Sequence, residues 1–191
     1  MTMTKAESAK ITDLLPEILL IKDAVLREAV TEIWFECWQE SAWPDLEKVP
    51  KNTELPIKRT LVTHSRSVAQ LAIKSAEVIK TFHGIDFDQD ALIAASLLHD
   101  VSKMYENDPS ADGKASKDSP QSRLIQHGAY GAHKAWEKHL SVEIIHNILA
   151  HTRASRTIPA TWEAILVHYV DYLDSDALLF DDNHPLLLGK H

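Results

Sequence analysis

Residues 91–98 read Ala-Leu-Ile-Ala-Ala-Ser-Leu-Leu, and the next two are His99 and Asp100. A segment that apolar reads as a helix buried on most sides. A buried helix does not finish in an imidazole and a carboxylate unless the interior needs them. A buried charge without a partner is prohibitive, so buried charges are paired or bind metal. Imidazole nitrogen and carboxylate oxygen are the usual ligands of divalent iron, manganese, zinc, cobalt and nickel.

Other residues of the same chemistry lie at helical spacings. His64 shares a face with Leu61, Val68, Leu71, Ser75 and Phe82 and points inward. Taken alone, an inward histidine is more often a satisfied core residue than a ligand. His127 opens a segment holding Gly128, Ala129, Gly131, Ala132 and Ala135. Each helical glycine costs up to about 1 kcal/mol against alanine, so something has to approach this backbone closely. His151 ends a helix in step with Ile144 and Ile148; His146, on the face of Val142 and Leu149, competes with it. Asp171 follows Ala160, Ala164 and Val167, and Asp174 one turn later is its alternative. His168, one turn before Asp171, could support a ligand but reads more readily as a plain core or surface histidine. Lys103 stands three residues after Asp100, on the next turn if the helix continues. Arg123, Arg153 and Arg156 flank these motifs, and Arg153 is taken as a substrate-binding candidate.

The order His64, His99-Asp100, Asp171 resembles the HD-domain superfamily of metal-dependent phosphohydrolases, over residues 58–176. His127 and His151 match its two-metal branch. The strings Leu97-Leu98-His99-Asp100-Val101-Ser102-Lys103, His127-Gly128-Ala129-Tyr130-Gly131-Ala132 and His151-Thr152 look most like the bacterial HD hydrolases that split diadenosine tetraphosphate symmetrically. The resemblance implies an HD-type helical bundle. It implies that His64, His99, Asp100 and Asp171 hold one metal ion, and that Asp100, His127 and His151 hold a second, with Asp100 as the bridge. Iron or manganese come first, with zinc, nickel or cobalt as alternatives. Asp100 and Lys103 are the implied catalytic residues, Lys103 facing a substrate phosphate. The reaction expected is hydrolysis of a nucleotide or another small phosphorylated metabolite by a metal-activated water. Some two-iron HD proteins use the same six ligands to activate oxygen and cleave a carbon bond, and that alternative stays open. A regulatory domain sensing a nucleotide is a third reading.

The chain has 191 residues, 45% hydrophobic and 25% charged, which suits one soluble domain with a sizeable core. Its formal net charge of -8 argues against a nucleic-acid surface. A small phosphate substrate remains compatible, because bound metal supplies local positive charge. The single cysteine, Cys37, cannot form an internal disulfide and points to a reducing compartment. No membrane span and no secretory signal are read, so the expected location is the cytoplasm.

The class expected is all-α, with an extra N-terminal helix. Residues 1–57 are read as a helical extension and connector, 58–176 as the HD domain and 177–191 as a tail. Residues 1–12 look frayed. A long helix starts at Thr12 or Asp13, carries Pro16 near its first turn and runs to about Ser41. Trp43-Pro44 stops it. The next helix is expected from near Pro56 to Phe82, with Gly84 as its left-handed cap. Asp86 or Asp88 caps the His-Asp helix. Residues 106–122, with Asp108-Pro109 and Asp112-Gly113 turns, read as a long mobile loop over the site. Helices follow from His127 to about His139 and from Ser141 to Thr152. The last opens at Thr157 or Pro159 and ends near Asp174. No strand is expected. Trp34, Phe35, Trp38 and Trp43 pack the first helix onto the domain or onto a second subunit, so a homodimer through that helix is a further expectation.

Overall fold

The computed structural model describes residues 2–53, 58–111 and 115–188. Helix α4 (Gln89–Leu98) is its centre. Every residue from 92 to 102 is buried, which is why this segment carries no polar face. Four helices surround it: α2 (Ala24–Glu40), α3 (Leu61–His83), α7 (Val142–Ala150) and α8 (Trp162–Asp181). Asp88 caps α4 by accepting from Ala91 N–H at 3.0 Å. The last carbonyls of a helix lack helical partners. Here Trp34 of α2 donates its indole N–H to Leu97 O at 3.1 Å. An N-terminal tryptophan thus closes the end of the central helix. Leu97 is fully buried, and its truncation to alanine would cost about 2–5 kcal/mol.

Thr60 caps α3, and Gly84, at φ 69°, ends it as expected. The buried face of α3 includes Ala69, Ala72 and Ala76, small enough to admit α4 and α8 closely. Helix α6 (His127–Glu137) lies tight against α7. A Cβ on Gly131 would sit 3.2 Å from Ile148 Cγ2 and 3.4 Å from Ser102 Oγ. The helical glycine is therefore explained by close packing.

The N-terminal region differs from the sequence reading. The described residues 2–12 are not frayed: α1 (Lys5–Leu14) begins in a capping box between Thr4 and Glu7. The single helix expected from Thr12 to Ser41 is broken at Pro16. The residue before a proline is pushed away from helical geometry, and Leu15 sits at φ -127°, ψ 65°. A 3-10 turn (Pro16–Leu20) follows, and Asp23 caps α2 afresh. The break buries Ile18 and Ile21. Trp34, Phe35 and Trp43 are buried in the same core as residues of α4 and α7. They pack the N-terminal helices onto the domain, and the partly buried Trp38 packs against the same core.

Other boundaries also move. The start of α3 expected near Pro56 lies outside the described residues. The last helix opens at Trp162, capped by Thr161, which accepts from Ala164 N–H at 3.1 Å. It runs past Asp174 to Asp181, because Ser175 and Leu179 continue its buried face. The polar stretch after Lys103 has structure of its own. A short α5 (Lys103–Glu106) leads into β1 (Asn107–Pro109), which pairs antiparallel with β2 (Ser116–Asp118). The absence of strands is corrected, though three-residue strands leave the class all-α. The Asp112-Gly113 turn lies outside the described residues. No helix among the described residues is long and apolar enough to cross a membrane.

Candidate metal centre

Several elements begin or end at one point. His64 lies in the first turns of α3, His99 and Asp100 just beyond α4, and His127 opens α6. His151 follows the last residue of α7, and Asp171 lies within α8. His64, His99, Asp100 and Asp171 each offer a ligand atom within 4.8 Å of the others, and Asp100, His127 and His151 form a second such group. Either group could hold a metal ion. All of these are buried except His127, which is partly so.

Asp100 divides the cluster. Its Oδ1 is 3.3 Å from both His127 Nε2 and His151 Nε2. Its Oδ2 is 3.3 Å from His64 Nε2 and 3.5 Å from His99 Nε2. Among the described residues neither buried oxygen accepts a well-aligned hydrogen bond, although Lys103 Nζ lies 2.8 Å from Oδ2 as an ion pair. Asp171 Oδ1 is 3.2 Å from His64 Nε2 and 3.7 Å from His99 Nε2.

The outer nitrogens explain the inner ones. His64 Nδ1 is 2.6 Å from Asp174 Oδ2, and His127 Nδ1 is 3.1 Å from Glu106 Oε2. His99 Nδ1 is 2.7 Å from Ser96 O, and His151 Nδ1 is 2.6 Å from Ile148 O. Each Nδ1 faces an acceptor, so it carries the hydrogen and leaves the Nε2 lone pair bare. Yet His64 and His99 Nε2 lie 3.2 Å apart, and His127 and His151 Nε2 lie 3.1 Å apart. Lone pairs converging at that distance repel unless a cation or proton stands among them. The donor set therefore fits a metal.

Without metal, protons take that role. Burial disfavours a charged His99, but Asp100 and Asp171 outweigh it and lift its pKa to about 10. Burial dominates at His151, whose pKa falls to about 4. Burial also works against the Asp100 and Asp171 carboxylates. The Lys103 and His99 charges at Asp100, and the His64 and His99 hydrogen bonds at Asp171, hold both well below the usual range.

Three residues of the centre were not proposed for it from sequence, or not in this role. Glu106 also accepts His127 N–H at 2.7 Å. Asp174, weighed as an alternative ligand, contacts the outer nitrogen of His64 instead. Lys51 is 3.8 Å from Asp171 Oδ1. His146 turns away and accepts Ala160 N–H at 2.9 Å. His168 Nδ1 is 2.8 Å from His151 O, one step behind the cluster. Arg153 is exposed, with its guanidinium 5.4 Å from the Tyr172 ring centroid. It stands at the rim rather than in the centre.

A cleft of about 190 Å³ opens beside the cluster, lined by Lys51, Lys103, His127, His151, Asp171 and Tyr172 among others. Larger cavities lie elsewhere, near the starts of α2 and α4 and between α3 and α8. Among the described residues, neither has converging metal donors.

A relative named dihydroneopterin 2',3'-cyclic phosphate phosphodiesterase, from Methanocaldococcus jannaschii, is 31% identical over 116 residues. That stretch is 60% of this chain but only 46% of the relative, so the chain spans about half the relative's length. No solved structure matches the chain. The HD domain matches residues 61–176, which contain all six clustered side chains. The chain belongs to the HD domain family.

Proposed function

We propose that this chain is a metal-dependent phosphohydrolase acting on a nucleotide or another small phosphorylated metabolite. The observation that carries this reading is the division of Asp100, one oxygen toward His127 and His151, the other toward His64 and His99. We assign His64, His99, Asp100 and Asp171 to one divalent ion, and Asp100, His127 and His151 to a second, with iron or manganese first. Such ions, when bound, act as Lewis acids and bring the pKa of a coordinated water toward neutrality.

The chain's own residues do the rest. Asp174, Glu106 and the Ser96 and Ile148 carbonyls hold the rings with Nε2 inward. Lys103 lines the cleft and is placed to offset charge on a phosphoryl oxygen. A cleft of about 190 Å³ is small beside the roughly 300–1,000 Å³ of common ligand sites. It suits a phosphoryl group, with the remainder of the substrate outside, along the rim that carries Tyr172 and Arg153.

Within this class, diadenosine tetraphosphate cleaved symmetrically is the first candidate, from the motifs around His99, His127 and His151. A cyclic phosphodiester, as in the relative's name, is the second. The di-iron oxygenase reading shares the ligands. The lysines at the cleft favour hydrolysis over it.

The test is metal analysis of protein purified without added metal, coupled to a hydrolysis screen with several divalent ions. Diadenosine tetraphosphate, 2',3'-cyclic nucleotides and simple phosphodiesters form the core of the screen. Metal-dependent release of a phosphorylated product is the expected result. Oxygen consumption with an unphosphorylated or phosphonate substrate, and no hydrolysis of any phosphoester, would transfer the chain to the oxygenase reading.

A further inference from the structure

Lys51 precedes α3 and lies outside the segment matched by the HD domain. Its side chain is 3% exposed, yet it lines the cleft together with Lys103, His127 and His151. A short strap holds it there. Lys51 N–H donates to Arg59 O at 2.8 Å, and Leu61 N–H donates to Val49 O at 2.8 Å. Pro50 and Thr60 face each other in an antiparallel bridge. Arg59 then pairs with Asp182 just beyond the end of α8, at 2.9 Å. The strap therefore ties the start of α3 to α8 and leaves Lys51 pointing at the centre.

Burial, only partly offset by Asp171, holds the pKa of the Lys51 amine below its ordinary value, so its surroundings are unusual. Lys51 Nζ donates to Ser175 Oγ. Ser175 in turn donates to Asp171 Oδ1 at 3.1 Å. The Asp171 carboxylate is 3.8 Å from Lys51 Nζ, beyond a good hydrogen bond. An ammonium has three donors, and Ser175 takes one. A buried cation needs a close counter-charge. Asp171 also faces His64 and, if it ligates a divalent ion, its charge is largely spent there. Lys103 faces the other carboxylate, Asp100, as a close ion pair at 2.8 Å. Two lysine side chains from separate segments thus meet one small cleft beside the clustered metal donors. That arrangement suits a multiply charged oxyanion.

We propose that Lys51 is a second phosphoryl-binding residue, acting with Lys103 on oxygens of the substrate phosphate. The segment before the HD domain then completes the site. This rests on the phosphohydrolase reading only for the identity of the anion.

The experiment measures binding of inorganic phosphate to the manganese-loaded full chain by calorimetry. Metal content and thermal midpoint are recorded alongside. Lys51→Met removes the charge and the donors. Lys51→Gln removes the charge but keeps a donor for Ser175. Both variants should keep their metal and bind phosphate at least about tenfold more weakly. Unchanged phosphate affinity in either would overturn the proposal. So would metal loss in Lys51→Gln, or recovery of phosphate binding by glutamine, since both mark a residue that only positions Asp171. Absence of phosphate binding by the wild-type chain would overturn it as well.

One measurement needs no variant. A crystal structure of the wild-type chain with manganese and phosphate should place a phosphate oxygen within hydrogen-bond distance of Lys51 Nζ. An ammonium left on Ser175 alone would overturn the role. The two readings fail separately. Phosphate binding that depends on Lys51, without hydrolysis of any screened ester, sinks the function and keeps this residue's role. Hydrolysis with phosphate affinity unchanged by both substitutions sinks this role alone.

Discussion

Asp174 grips His64 from outside, with its Oδ2 2.6 Å from Nδ1. Asp171, three residues earlier on α8, faces the other nitrogen of the same ring at 3.2 Å. One turn of one helix therefore supplies both an inner and an outer carboxylate to a single imidazole. Burial works against the Asp174 charge, but the His64 ring and the Ser67 hydroxyl outweigh it, and its pKa is lowered. A carboxylate in that position fixes the hydrogen on Nδ1 and keeps Nε2 free to ligate.

Asp174→Ala should therefore weaken metal binding without removing a ligand. Loss of such an outer partner typically costs about 10–100-fold in affinity. Asp174→Asn, which keeps an acceptor oxygen, should cost less. Competition with a chelator measures both. Equal affinity in wild type and Asp174→Ala would show that packing alone orients His64.

Asp100→Ala should lose both ions, because both groups of donors share its carboxylate. Asp171→Ala should lose only the ion beside His64 and His99. Breaking a buried ion pair from one side costs about 3–5 kcal/mol, so the stoichiometry is read at low temperature, with circular dichroism to verify folding. One full equivalent retained by folded Asp100→Ala would rule out the bridge.

The inner half of this centre was legible because each part leaves a local mark. The apolar run before His99, the helical spacing around His64 and the glycines after His127 can each be read within a few turns. Thr4 and Glu7 also carried a local signal, the three-residue spacing of a capping box, which the reading of residues 1–12 as frayed passed over. Pro16 was read as an early helical proline when Leu15 before it marked the break. Lys51 left no such mark. Its contacts reach Asp171 and Ser175, more than a hundred residues away, and no periodicity reports a side chain on a connector. Glu106 was hidden for a similar reason. It lies in a polar stretch that looked structureless, and its value depends on meeting His127 across the turn of β1 and β2.

The metal-free protein should lose stability as pH rises from about 7 to about 10. His99 is raised from an unfolded value of about 6.5 to about 10. Its charged ring thus contributes stability that is full below about 6.5 and is lost as pH climbs through the folded value. Metal binding must expel that proton, so affinity at this group should rise roughly tenfold per pH unit over the same window. Thermal midpoints with and without chelator test the first part, and metal titrations in weak buffer test the second. His99→Gln should flatten both slopes. A metal-free midpoint as steep in His99→Gln as in wild type would sink the assignment.

Lys103→Ala should separate metal binding from phosphate chemistry. Burial opposes the Lys103 charge, but Asp100 beside it prevails and raises its pKa. A lysine held as ammonium has no lone pair for a metal. Its close metal-free partner is Asp100 Oδ2, at 2.8 Å, the same oxygen that faces His64 and His99. An ion taken up by that carboxylate would loosen the pair and release the ammonium toward the cleft. The variant should therefore keep its metal content, or bind metal slightly better. It should lose about 1.5–3 kcal/mol of charge-assisted hydrogen bonding to substrate, or roughly ten- to a hundred-fold in kcat/KM. Because the wild-type lysine stays charged well above neutrality, that ratio should be the same at pH 7 and pH 9. Metal stoichiometry and initial rates at the two pH values provide the check. Metal loss in Lys103→Ala would instead make this residue a structural counter-ion of Asp100.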